Sequence, residues 1–229
     1  LRKLISQTLI QKNGEYYLFL TDEEQDINRE IKQMNIDEDR VKRELGEYIY
    51  HDIYNDKQYK YDKNYSFSFN ENMDEKNYGK QTSSIGINII SPLSDHFYKS
   101  DQEMMMMSLD RAEMIIKLDG SDTYIEEIEE ALKIEEYRRK RNIAQLSENI
   151  QNILNNKQVE VRERKRRAVD LLMDAIKSGS YFVNGSKIDA KGSTVREKIN
   201  SGFKTLVENV YTKLGYIREH ISNDRELLN

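Results

Sequence analysis

The stretch from Asp122 to Lys177 constrains the fold more than any other part of this 229-residue chain. It reads as helix: Ile125, Ile128 and Leu132 recur at helical spacing among Glu-rich flanks, and Ser178-Gly179-Ser180 ends the run. As one unbroken helix it would extend about 84 Å at ~1.5 Å per residue. An arm that long is uncommon in a compact domain, so two helices are expected, with a break near Leu146-Ser147. Ser147 would cap the second helix, with Glu148 in its first turn. A further helix after Ser193 carries Val195, Ile199, Phe203, Leu206, Val210, Leu214 and Ile217 on one seam.

The rest of the pattern alternates. Leu4 to Ile10 and Tyr16 to Leu20 flank Lys12-Asn13-Gly14, a tight hairpin turn by the positive φ that Asn-Gly supplies. Thr21 and Glu24 form a capping box that opens a helix with Ile27, Ile31 and Met34 on its apolar stripe. Asp37 caps another, whose Val41, Leu45, Ile49 and Ile53 face a core. Residues 55–84 turn polar; one strand at Tyr65–Phe69 followed by a long loop is expected. Ile85–Ile90 is a strand stopped by Ser91-Pro92, and Met114–Leu118 is another, with a short helix from Ser100 to Asp110 between them. Tyr181–Ile188 is a second Asn-Gly hairpin. The fold class is α+β: a small mixed part with a small sheet over 1–120, then a mainly helical part over 121–229 with long helices and one hairpin near 181–189.

Composition narrows the function classes. Charged residues make up 34% and apolar ones 37%, more charged and less apolar than the ~25% and ~45–50% of ordinary domains. With one Pro the chain is neither collagen-like nor Pro-rich. With no Cys it has no disulfide scaffold, thiolate metal site or Cys nucleophile, which suits a reducing interior; a cytoplasmic location is expected. No long apolar run suggests a membrane span or a signal peptide, so no membrane partner is expected. The chain opens on Leu1-Arg2-Lys3-Leu4 without an initiator Met, and a piece of a longer protein is the expectation.

Catalytic constellations are hard to assemble. Gly79-Lys80-Gln81-Thr82 lacks the upstream Gly and the hydroxyl of a phosphate-binding loop. His51, His96 and His220 have no second ligand at metal spacing. Ser94-Asp95-His96 holds the residue types of a hydrolase triad, but neighbours in sequence cannot adopt its geometry. Glu126, Glu127, Glu129 and Glu130 read as a solvated face with helical ion pairs. Met104–Met107 reads first as core filling, then as an adaptable contact.

Charge is uneven. Residues 1–120 hold 16 Lys/Arg and 23 Asp/Glu, residues 121–229 hold 20 and 18, and within 137–167 ten bases face three acids. Arg138, Arg139, Lys140 and Arg141, then Arg162, Arg164, Lys165, Arg166 and Arg167, are the candidate nucleic-acid contacts; a solvated helix face is the plainer reading. Tyr137 is the one aromatic nearby, which disfavours single strands and leaves duplex phosphates as the target.

The run from Tyr17 to Ile31, YLFLTDEEQDINREI, resembles a motif of the BrxC/PglY-type proteins, the large P-loop ATPases of BREX bacteriophage-exclusion systems. Ile85-Gly86-Ile87 with Ile89-Ile90-Ser91-Pro92, Lys117-Leu118-Asp119, Val183-Asn184-Gly185 and Leu206–Leu214 agree with the same family. The resemblance implies an internal region downstream of an AAA+-like ATPase module, in an intracellular prokaryotic defence protein that acts with a methyltransferase and other BREX components. The Walker motifs have no counterpart here, so ATP and Mg²⁺ belong to the parent protein, and no catalytic, cofactor or metal residue is expected in this chain. Two readings follow. One is a non-catalytic assembly segment, not itself an enzyme, that contacts other subunits or BREX components through the last helix's seam and the Met run. The alternative is a segment touching double-stranded DNA through 137–167.

Overall fold

The computed structural model describes residues 9–13 and 15–214. They form two compact units, and neither follows chain order. The first takes residues up to Asp52 together with Ser121–Asp174; the second takes Ile53–Gly120 together with residues from Ala175 on. The division at residue 120 suggested by composition coincides with one of the three crossings. The other two arise because contacts that close each unit come from both halves of the chain.

In the first unit, β1 (Ile10–Asn13) and β2 (Tyr16–Phe19) pair antiparallel, Ile10 opposite Phe19 and Asn13 opposite Tyr16. Strand β1 therefore runs into the Asn-Gly pair, later than the expected Leu4–Ile10; residues 1–8 lie outside the described residues. Helix α1 (Asp22–Lys32) starts at the Thr21–Glu24 capping box, and α2 (Glu38–Glu47) starts at Asp37, whose side chain accepts from the Asp39 N–H. A π-helical turn, Tyr48–Ile53, follows α2. Val41, Leu45 and Ile49 are buried, as their spacing requires.

The long helical stretch breaks as expected, slightly earlier and more widely. Helix α4 (Thr123–Arg139) ends at Lys140, a 3₁₀ turn covers Ile143–Gln145, and α5 (Glu148–Ser178) follows. The second unit contributes helix α3 (Asp101–Asp110). The first part of α5 folds back on α4: Ala131, Ile134 and Tyr137 share a core with Ile153, Leu154 and Val161, joined by Ile27 and Ile31 of α1. Folding back buries apolar stripes that a single extended arm would leave in water.

The second unit is built on a seven-stranded mixed sheet. Its strands are β3 (Gln58–Lys60), β4 (Ser66–Met73), β5 (Lys76–Tyr78), β6 (Ile85–Ile90), β7 (Glu113–Lys117), β8 (Ser180–Val183) and β9 (Ser186–Ile188). The continuous order is β3-β4-β6-β7-β8-β9, with β5 paired to β4 as a hairpin. Pairs β4/β6 and β6/β7 are parallel; the others are antiparallel. Two expectations need correction. The polar region 55–84 holds three strands, because alternation at Tyr65–Phe69 continues into Asn-rich residues that the sheet still buries. The hairpin at 180–188 belongs to the same sheet as the N-terminal strands: Phe182 pairs with Ile115, and Tyr181 with Ile116.

Ile85, Ile87, Ile89 and Ile90 of β6 are all buried, as a central strand covered on both faces requires. On one face Met104 of α3 packs with Ile90, Ile115 and Phe182. On the other lies α6 (Val195–Val210), opened by a Thr194–Glu197 capping box. Phe203 stacks within 4.6 Å of Phe69 and 5.6 Å of Tyr59. A Cβ on Gly202 would collide with the Met114 sulfur, so glycine sets how closely α6 approaches β7. The seam predicted for the last helix exists, but its Val195, Ile199, Phe203 and Leu206 are spent on its own sheet; Ile217 lies outside the described residues.

Candidate functional site

The nine candidate bases lie where the sequence puts them, at the end of α4 and in the middle of α5, and most are occupied. Arg138 donates to the Leu154 carbonyl of α5. Arg139 forms a bidentate pair with Glu136 at 2.8 and 3.1 Å, and Lys140 sits 3.4 Å from the same carboxylate. Arg141 pairs with Glu30 and lies over the Tyr137 ring. Arg164 bridges Glu160 and Glu127, each at 2.9 Å; Arg167 reaches Glu127 at 3.1 Å; Lys165 bridges Glu44 and Glu135, each at 2.9 Å. Arg162 and Arg166 are exposed, and among the described residues neither has an ion-pair partner. They line a groove with Tyr16 and Val159.

These pairs shape the titration of the first unit. Hydrogen bonds from Arg139, with Arg40 and Lys140 adding to them, hold the Glu136 carboxyl down at about 2 despite desolvation. Burial opposes the charge of Glu160, yet Lys157 and Arg164 keep its pKa below the usual carboxylate range. Burial likewise opposes the charge of Arg164, and Glu160 with Glu127 more than offset it. Lys157, Glu160, Gln11 and Asn28 close a buried network: Lys157 Nζ donates to Gln11 Oε1 at 2.6 Å and to Glu160 Oε2 at 2.9 Å, and Asn28 Nδ2 donates to Gln11 Oε1 at 3.1 Å. The network lines a cavity of about 180 Å³ with Ile10, Leu20 and Ile31. Such a network fixes β1 and α1 against α5, because each member left alone would be a costly buried polar group.

What sequence reasoning missed is the outward face of the first hairpin. All four residues of β2 are exposed: Tyr16 by 77%, Tyr17 by 44%, Leu18 by 53% and Phe19 by 87%. Leu18, Phe19 and Leu20 share a groove of about 390 Å³ with Ile153, Asn156 and Val159 of α5. The signal was present, since four large apolar residues in a row with no polar alternation do not describe a hairpin with one wet face. Four large apolar side chains exposed side by side are uncommon on the surface of a monomeric protein.

The second unit holds the residues nearest to a catalytic constellation. Ser94 donates to Glu75, and His96 Nε2 stands 4.0 Å from the same carboxylate. Glu75 thus lies between the hydroxyl and the imidazole, so the imidazole is not placed to take the serine proton. The backbone N–H of His96 donates to Ser94 Oγ, the geometry of a capped turn. Gln81 of the Gly79–Thr82 loop donates to the Glu71 and Tyr78 carbonyls and serves to tie the loop to β4 and β5. Among the described residues no group of His, Asp and Glu is arranged to hold a metal ion, and no helix is long and apolar enough to cross a membrane. In the Met run, Met104 is fully buried, while Met106 is exposed.

A family model described as the fourth domain, with a six-stranded β-sheet, of the BREX ATP-binding protein BrxC matches residues 34–206. The match takes in the whole second-unit sheet, whose continuous order contains six strands, and it begins after β1, β2 and α1. No solved structure matches the chain.

Proposed function

The chain belongs to the BrxC family of BREX ATP-binding proteins, a component of phage defence, and from that premise we propose that it is a non-catalytic docking segment of its parent protein. The observation that carries this reading is β2, four consecutive exposed apolar residues on a strand paired along one edge. The two features that first suggested docking are largely consumed by the second unit's own core. The docking face is therefore assigned to the β2 hairpin. Its occupants are other subunits or other BREX components, and ATP with Mg²⁺ is handled by the parent's nucleotide module, in a cytoplasmic protein.

The test is a parent protein carrying Leu18→Asp and Phe19→Asp. Loss of co-purifying BREX proteins and of phage exclusion, with ATP hydrolysis retained, is the expected result. Unchanged co-purification and exclusion would sink the docking reading.

A second reading rests on Arg162 and Arg166, the two exposed candidate bases without an ion-pair partner among the described residues. They would touch duplex phosphates, with Tyr16 beside them. Anisotropy of labelled duplex at ~50 and ~200 mM salt separates the readings, because a phosphate contact weakens steeply over that range. Arg162→Glu with Arg166→Glu should abolish such binding, and Arg164→Gln should not act through DNA, since its guanidinium is held by Glu127 and Glu160.

A further inference from the structure

We propose that β2 is the contact of a two-fold homodimer, in which β2 of one copy adds antiparallel to β2 of a second and extends the hairpin to a four-stranded sheet. This rests on the docking reading and names the occupant as a second copy of the chain. It stands on three observations. Strand β2 pairs with β1 along one edge, and among the described residues no strand pairs with the other, so its outward N–H and C=O groups form a template for one more strand. With the two-fold axis at Leu18, Leu18 faces Leu18 of the second copy and Tyr17 faces its Phe19, each pair on one face of the sheet. Those are aliphatic–aliphatic and aromatic–aromatic cross-strand pairs, with no charge set against a like charge. The ends of the strand also differ in charge. The Tyr16 end shares its groove with the exposed Arg162 and Arg166. The Phe19 end shares its groove with Glu24 and runs into Asp22 and Glu23. Antiparallel addition brings the arginines of one copy toward the acidic helix start of the other. Glu15 and Glu163 also line the arginine end and moderate this attraction.

The size of the patch sets the strength. Covering four such side chains removes roughly 500 Å² per copy from water, below the ~800 Å² per partner of a standard stable interface. The contact therefore belongs with weak, transient associations.

The chain has no cysteine, so introduced thiols report without background. Tyr17→Cys and Leu18→Cys chains are oxidised separately, and sedimentation equilibrium follows the unmodified 27.2-kDa chain over a wide concentration range. A monomer–dimer equilibrium is expected, together with a Leu18→Cys disulfide dimer that forms faster than the Tyr17→Cys one. Leu18→Asp with Phe19→Asp should leave the circular-dichroism spectrum unchanged and return the chain to monomer; should that variant fail to fold, the disulfide pattern decides alone. A monomer at every concentration, disulfides without preference for position 18, or a dimer that survives the double aspartate overturns the proposal. Homodimerisation can fail while the parent still loses its BREX partners on the same substitutions. In that outcome the docking reading survives with a different occupant.

Discussion

The two hairpins of this chain share a local grammar and end in opposite environments. Each places an Asn-Gly pair beside aromatic and aliphatic residues. In β8 Tyr181, Phe182 and Val183 are almost completely buried; in β2 every residue faces outward. The turn does not cause the difference. Asn184 and Gly185 take φ of 47° and 77°, as a tight hairpin requires. What differs is the neighbour each strand finds. Strand β8 completes the open edge of β7 and lies under α3, so its side chains fill a core. Among the described residues β2 pairs with β1 alone, and a two-stranded ribbon cannot bury both of its faces. One hairpin is part of a core, and the other is exposed.

That contrast can be broken by mutation, starting with the largest effect. Phe182→Ala should cost about 3–5 kcal/mol, the usual penalty for emptying an aromatic core position, read from the urea midpoint of the second unit. A cost below one kcal/mol would mean that β8 is not core. Glu160→Ala removes the acceptor shared by Lys157 and Arg164 and should cost about 3 kcal/mol through the buried cation it strands. Calorimetry should show the loss confined to the first unit's transition. Gly185→Ala forces a β-carbon into a left-handed φ and to 3.0 Å from Leu109 Cδ1. About 1–2 kcal/mol is expected, and an unchanged melting temperature would contradict the turn geometry.

The ion pairs supply a pH test. The Glu136 pKa is lowered from 4.5 to about 2 in the folded chain. Its contribution is therefore complete above about pH 4.5 and disappears as pH falls toward 2. Glu136→Gln should flatten that part of the first unit's stability-against-pH curve, and carboxyl NMR titration of the wild type gives the shift directly. The smallest effect sharpens the comparison most: Phe19→Ala should change monomer stability by less than about 0.5 kcal/mol. A larger loss would mean that β2 is covered within its own chain.

Much of the secondary structure was legible. The capping boxes at Thr21, Ser100 and Thr194 are sequence patterns, because the side chain that caps lies three residues from the one that answers it. Ile85–Ile90 ran to the same ends as the strand observed. The first half of β4 was legible at Tyr65–Phe69, but its Asn-rich continuation and β5 were not, since Asn70 is held by Ser83 and Asn72 by Glu113, partners 13 and 41 residues away. The candidate site was half visible: the bases were found by composition, and Glu136 and Glu160 lie within one helical turn of Arg139 and Arg164, but Glu30, Glu44 and Glu127 come from α1, α2 and α4 and could not be paired from the chain alone.

The sequence by itself determined where helices start, where the long arm breaks and where the chain reverses, since those depend on contacts within a few residues. Only the tertiary structure decided which apolar residues are core and which are surface, and which charges are already neutralised. Burial and ion pairing belong to neighbours brought together across the chain. Phe19 and Phe182 have the same side chain after similar local patterns, and only the presence or absence of a covering layer tells them apart.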